Sequence, residues 1–426
     1  MNSSDIFANL IVAYPTFEAL TAYLDSIGVQ SNTKEGDALV IFRYNREKAD
    51  LTNPLVRAFR SVIWDSRVNR PVFVAPTKSE PLTTLPTDYT QVLVEDFLDG
   101  VMVNLFVDPV TSKWRLATRS RLDADNKFYE HTFGSLFLST WQAQYGTDFS
   151  VLNPSVGYSF VLQHPTNRIV VPVAMPSVTC VEISAINPAT CTVTFMPAAP
   201  GSISVPRRYA VTSQQQLGEL VAHLNQFEGI RSQGVTIKEV STGKRWKVRT
   251  EAYKQVRTLR GNHSRMEYVW FDNMKKGLLP TYLAVYPEEA IAAQAALKNW
   301  TDIVADIYNW YVHVFKVRDV TKDKIPAHYK GVLFDLHSEY VKRLAPAKLS
   351  LTWVEHQALM AKQDLKRIVF LATFKAGAPL PPSAQKTAAA RAESKPPASN
   401  VKTWASVAKA AVPGQMAAVP GQMAAE

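Results

Sequence analysis

Hydrophobic positions change their period twice along the chain. Residues 38–44 and 61–65 are short β-rich runs, whereas Phe17, Leu20 and Leu24 recur at the spacing of one helical face, so residues 1–90 read as a small mixed α/β lobe. From 91 to 265 strand patterns dominate, over 100–107, 114–119, 158–162, 169–173, 179–183 and 191–195, with a hairpin over 235–248. Helices are expected there at 135–145 and 213–226. Such a mixture implies antiparallel sheets in an α+β domain. Beyond 265 the period lengthens: Ile303, Ile307, Trp310 and Val314 form a helical stripe flanked by Val304 and Tyr311, and 332–344 and 353–370 continue in the same style. Residues 266–375 therefore read as an all-helical C-terminal domain whose aromatic residues fill a core. From 376 to 426 alanine and proline prevail, and disorder is the expectation. Two tandem copies of Ala-Val-Pro-Gly-Gln-Met-Ala, beginning at Ala411 and Ala418, close this tail. Within it, residues 401–409 make a short amphipathic stretch around Trp404, suited to a groove on a partner protein or else a tail residue with no partner.

Composition narrows the class. A chain of 426 residues with 46% apolar content can bury one large core or two smaller ones. No apolar run approaches the roughly 20 residues that span a bilayer, and Met1-Asn2-Ser3-Ser4-Asp5 lacks the basic start of a secretory signal, so the chain is expected to stay where it is made, with no membrane partner. Cys180 and Cys191 flank a hairpin turn without histidines at metal-ligand spacing, which suits reduced core residues better than a zinc site. The remaining histidines show no paired spacing either. A formal charge of +10 favours an acidic partner, with nucleic acid foremost. The distribution is more telling: residues 231–265 hold Arg231, Lys238, Lys244, Arg245, Lys247, Arg249, Lys254, Arg257, Arg260 and Arg265 against only Glu239 and Glu251. A solvated hairpin and helix face is the plainer account of such a run.

Candidate chemistry centres on Val94-Glu95-Asp96-Phe97-Leu98-Asp99-Gly100-Val101-Met102-Val103-Asn104-Leu105-Phe106. Companions lie in order around it. Upstream is Arg57-Ala58-Phe59-Arg60-Ser61; downstream are Ala117-Thr118-Arg119-Ser120, then Pro165-Thr166-Asn167-Arg168-Ile169-Val170, and last Lys247-Val248-Arg249-Thr250-Glu251-Ala252-Tyr253. This series resembles the phage RNA ligase 1 family of ATP-dependent covalent nucleotidyltransferases, over roughly residues 30–260, and the Pro-Thr-Asn-Arg-Ile-Val run is its most specific part. The resemblance implies a nucleotidyltransferase core of antiparallel sheets, with 1–90 as its N-terminal lobe and 91–265 as its centre. The following helical domain would help choose the RNA.

Phe97 stands in the slot of that family's Lys-x-Asp-Gly nucleophile. Transfer of a nucleotidyl group to a lysine needs a neutral amine with a lowered pKa, and phenylalanine has no lone pair. The family's metal-holding glutamates correspond to Val161 and Gln233, with Glu228-Gly229 as an alternative register for the second. No catalytic or metal-binding residue is therefore expected, and self-adenylylation is not. ATP and magnesium remain the cofactors that the family would imply. Arg60, Asp99, Gly100, Arg119, Lys247 and Arg249 are the expected nucleotide- or phosphate-binding residues, and Arg245, Lys254, Arg257 and Arg260 the expected RNA contacts. For Asp99 a turn cap, and for Arg168 a structural hydrogen-bond hub, are the competing assignments. Three functions stay open: a pseudoenzyme that binds RNA or nucleotide in a basic cleft, a ligase that seals pre-adenylated RNA ends, and an assembly scaffold. The pattern is similar to degenerate RNA ligase relatives of large DNA viruses, which implies an infected-cell cytoplasm or a virion.

Overall fold

The computed structural model describes residues 5–126, 131–198 and 201–374. The expected disordered tail and its Trp404 stretch lie outside them. The chain divides into two compact units between Thr258 and Leu259.

In the first unit, strands run in chain order as β1 (Val29–Thr33), β2 (Leu39–Tyr44), β3 (Val62–Asp65), β4 (Arg70–Val74), β5 (Val92–Asp96), β6 (Val101–Val107), β7 (Trp114–Ala117), β8 (Gly157–Gln163), β9 (Ser177–Ile186), β10 (Val193–Met196), β11 (Arg208–Tyr209), β12 (Gly234–Glu239) and β13 (Arg245–Arg249). They form three antiparallel sheets, ordered β1-β2-β3-β4, β10-β9-β8-β6-β7 and β11-β5-β12-β13. Helices occur at Phe17–Ser26, Phe133–Tyr145 and Gln214–His223, each begun by a Thr or Ser side chain that accepts a backbone N–H. The expected α+β class with antiparallel sheets and a helical C-terminal region is the observed one. Segments 1–90 and 91–258, however, belong to one unit: Val193 joins the core around Phe42, Phe59 and Trp64, and Phe106 and Leu122 join that around Ile41 and Ile63. Cys180 and Cys191 are buried and form no disulfide with each other.

One expected strand is absent. Residues 169–173 form a bend, because the N–H groups of Val170 and Val171 donate to the Asp99 carboxylate at 2.8 and 2.9 Å instead of to a neighbouring strand. Apolar character alone does not reveal where a backbone donor goes.

The second unit is helical, with its longest helix at Ala290–Tyr311. The stripe read from the sequence is its buried face: Ile303, Val304, Ile307, Trp310 and Tyr311 are all buried. Helices Met266–Lys275, Ala327–Glu339, Trp353–Ala361 and Leu365–Thr373 pack around it. Among the described residues no helix is long and apolar enough to cross a membrane.

Candidate functional site, a cation-rich pocket between two sheets

Period-two alternation on β12 and β13 builds one wall of the site. Val235, Ile237, Trp246 and Val248 pack into a core with Val94 of β5 and Leu217 of helix Gln214–His223. The opposite face must then carry Glu95, Thr236, Lys238, Arg245, Lys247 and Arg249. Sheet register sets Thr236 beside both Glu95 and Lys247, and Lys238 beside Arg245. The second wall comes from β6, β8 and β9 through Met102, Val161 and Val181. Between them lies a cavity of about 330 Å³. It is lined by Phe97, Asp99, Gly100, Val161, Gln233, Lys247 and Arg249, and also by Arg46, Arg60, Arg245 and Arg257.

Phe97 follows the end of β5, where its backbone N–H donates to the Gly234 carbonyl at 2.9 Å. Its ring is half-buried and meets two cations: Lys247 Nζ lies 4.3 Å and the Arg249 guanidinium carbon 5.1 Å from the ring centroid. At these distances the ring's quadrupole attracts both charges. Gln233, oriented to suit its neighbours, donates its amide to the Leu98 carbonyl at 3.0 Å and the Phe97 carbonyl at 3.3 Å. It thus holds the Phe97–Leu98 turn. Val161 lines the cavity with an apolar, buried side chain.

Every carboxylate on the cavity wall is already engaged. Glu95 receives the Lys238 ammonium at 2.5 Å, and the same ammonium reaches Glu182 at 3.4 Å and donates to the Val181 carbonyl, tying the two sheets together. Asp96 accepts from the Tyr209 hydroxyl at 2.6 Å and pairs with Arg207 at 3.4 Å. Asp99, besides its two backbone donors, accepts from the Tyr253 hydroxyl at 2.7 Å. Among the described residues no group of three or more His, Cys, Asp or Glu side chains is arranged to hold a metal ion. The residues present therefore do not fit the magnesium that the family resemblance implied.

The cations, by contrast, crowd. Three of them have lowered pKa values: burial first and neighbouring arginines next bring Arg60 to about 10, burial lowers Arg245 against the opposing pull of Glu182 and Glu95, and Lys247 falls well below the usual lysine value because burial, Arg245, Arg60 and Arg249 all oppose its charge. Arg245 is buried, yet its Nε and Nη1 have no hydrogen-bond partner.

Several sequence-derived assignments change. Arg119 does not line the cavity: its guanidinium donates to the carbonyls of Arg60 at 3.3 Å and Tyr44 at 3.0 Å and lies over the Tyr44 ring, so it braces the backbone that carries Arg60. Asp99 is a buried hub whose oxygens are spent on protein donors. Gly100 serves packing, since a Cβ there would sit 2.4 Å from the Leu162 carbonyl oxygen. Arg260 is buried in the helical unit, 3.7 Å from Glu289, and cannot face RNA in that position. Lys254 is exposed and paired with Glu251 at 2.6 Å. Arg57, quoted only as part of a motif, pairs with Glu80 at 3.0 Å. The sequence reading missed Arg46, Glu95, Lys238 and Glu182 as members of the site or its support. Glu95 and Lys238 carried a usable signal, because charged residues at alternate positions of β5 and β12 must share the face opposite Val94, Val235 and Ile237.

No family model matches the chain, and a comparison with curated proteins finds no match. Among solved structures the chain is similar to an archaeal ATP-dependent RNA ligase, at 12% identity and a TM-score of 0.36 over 68% of this chain and 73% of that one. It is also similar to a putative ATP-dependent DNA ligase from Aquifex aeolicus, at 12% identity and a TM-score of 0.36 over 88% of this chain and 80% of that one. An RNA ligase of Naegleria gruberi aligns at 12% identity and a TM-score of 0.31, over 43% of this chain and 58% of that one.

Proposed function

We propose that this chain is an RNA ligase-like domain that has lost covalent nucleotidyl transfer and binds RNA or a nucleotide by its phosphates. The observation that carries this reading is the composition of the cavity: six cationic side chains line it against three carboxylates, all three engaged, with Phe97 where the resembled family has its nucleophile. Such a site can attract and hold phosphate, because guanidinium and ammonium groups supply charge-assisted donors. Its three carboxylates are engaged by protein groups, so the share of electrostatic help that a carboxylate-held metal gives phosphoryl transfer has no holder on this wall.

Two measurements test the proposal. Single-stranded RNA is expected to bind near physiological ionic strength with an affinity that falls as salt rises; no salt-sensitive binding would sink it. Incubation with ATP and magnesium or manganese, read by intact mass, is expected to leave the protein without an added adenylate.

One observation favours an active enzyme instead. Lys247 presents an amine of lowered pKa inside the same cavity, the property a nucleophilic lysine requires. An adenylate that forms on the unaltered protein and disappears in Lys247→Arg would establish that alternative. The same mass measurement decides between the two.

A further inference from the structure

We infer that the cavity is built for a terminal phosphate, the end group of a nucleotide or of an RNA strand, and that it binds this group without a divalent cation. The inference rests on the phosphate-binding reading above and makes it more specific.

Arg245 is the first reason. It is 4% exposed and lines the cavity, and two of its donor atoms, Nε and Nη1, find no acceptor in the protein. A buried donor without a partner costs stability unless something else satisfies it. A guanidinium's planar fork matches the oxygens of a phosphate, and a terminal phosphate offers more charge and more free oxygens than a bridging diester.

The row of cations is the second. Arg245, Lys247 and Arg249 share one face of β13 at every second residue, roughly 7 Å apart along the strand. Arg60 lies on the wall of the same cavity, and its charge and those of Arg245 and Arg249 all bear on Lys247. Among the described residues none of these four has a carboxylate at ion-pair distance, although Lys34, Arg115, Arg207 and Arg343 elsewhere all do. An anion entering here offsets the crowding of positive charge around Lys247 and Arg60 and gives the unpartnered donors of Arg245 an acceptor.

Lys238 is the third. Its ammonium occupies the space between Glu95 of the cavity wall and Glu182 beside it, at 2.5 and 3.4 Å. A hard divalent cation needs several free oxygen ligands, and these two carboxylates already share a resident positive charge. The protein's own cations must then neutralise the phosphate.

The test measures binding of a 5′-phosphorylated RNA oligonucleotide, the same oligonucleotide with a 5′-hydroxyl, ATP, and adenosine, each in EDTA and in magnesium. Phosphorylated RNA is expected to bind at least about tenfold tighter than its hydroxyl form in EDTA, as one charge-assisted contact set would give, with no gain from magnesium. A preference for ATP over adenosine without one for the RNA end would also support the site and make a free nucleotide its source. No preference in either pair, or one seen only with magnesium, overturns the inference. RNA binding that ignores the terminal phosphate, with ATP bound no better than adenosine, would do so while leaving the general phosphate-binding proposal standing. Arg245→Met should erase the preference without lowering the Tm, because the arginine it removes has unsatisfied donors; a preference that survives it removes Arg245 from the site. Should Arg245→Met lower the Tm, Arg245→Lys keeps the charge and is expected to lose most of the preference with the fork geometry.

Discussion

At the scale of single residues, Phe97 and Lys247 show how an aromatic ring and buried cations share a site. An aromatic ring offers no amine, but it accepts two neighbouring cations on its face, and Lys247 and Arg249 take up those positions. Lys247 stays strained electrostatically, since the ring compensates only part of the cost of burial among Arg245, Arg60 and Arg249. The sign of the consequence follows from linkage. A lysine whose folded pKa is depressed binds fewer protons folded than unfolded, so its contribution to stability is greatest above the unfolded value near pH 10.4 and is lost as pH falls to the folded value. Lys247→Met is therefore expected to raise the Tm at pH 7 and to flatten the rise of stability between neutral pH and about pH 10. Parallel pH profiles for the two proteins would show that the lysine is not under this strain.

At the scale of elements, alternation on a strand and periodicity on a helix decide which groups are buried with which. On β13 alternation turned Trp246 and Val248 into the core and Arg245, Lys247 and Arg249 into the cavity, and this division was readable from the sequence once the hairpin was placed. Helix Trp353–Ala361 shows what periodicity does not reveal. It carries His356 into the core of the helical unit, where Nε2 contacts the Val304 carbonyl at 2.8 Å and Nδ1 has no partner. Burial lowers its pKa to about 4. The unfolded chain takes up a proton near pH 6.5 while the folded one does not, so stability is lost as pH falls from there to about 4, by roughly 3 kcal/mol in all. His356→Leu should shrink that acid-side loss, read as the Tm difference between pH 7 and pH 4; an unchanged difference would place the acid sensitivity elsewhere.

At the scale of the whole molecule, a net charge of +10 sets long-range attraction for a polyanion but says nothing of where it lands. The function proposed above has it land in the cavity. With about four cations meeting phosphates, log K for single-stranded RNA is expected to fall with log salt at a slope of about −3, and Lys247→Ala to reduce that slope by about 0.7. A slope that Lys247→Ala leaves unaltered would put the RNA on another surface. The segment around Trp404 enters only as a sequence-level proposal of a protein partner. Deletion of residues 400–410 is expected to cost a co-purifying partner, and retention of every partner would count against it.

The sequence by itself determined the α+β class, the helical C-terminal region, the hairpin and the β6, β8 and β9 strands of the site, though not β5, and the order of the motif companions, because period and local residue chemistry are properties of neighbouring positions. It also singled out Phe97, Val161, Gln233, Lys247 and Arg249, which the fold brings to one cavity. What only the tertiary structure decided is which charges have partners. Lys238 joins Glu95 to Glu182 across two sheets, Asp99 gathers donors from Val170, Val171 and Tyr253, Arg119 turns to backbone carbonyls, and Arg245 is left without an acceptor. Each of these pairings spans dozens of residues of chain. A charge's partner is set by proximity in space, and no local pattern encodes it.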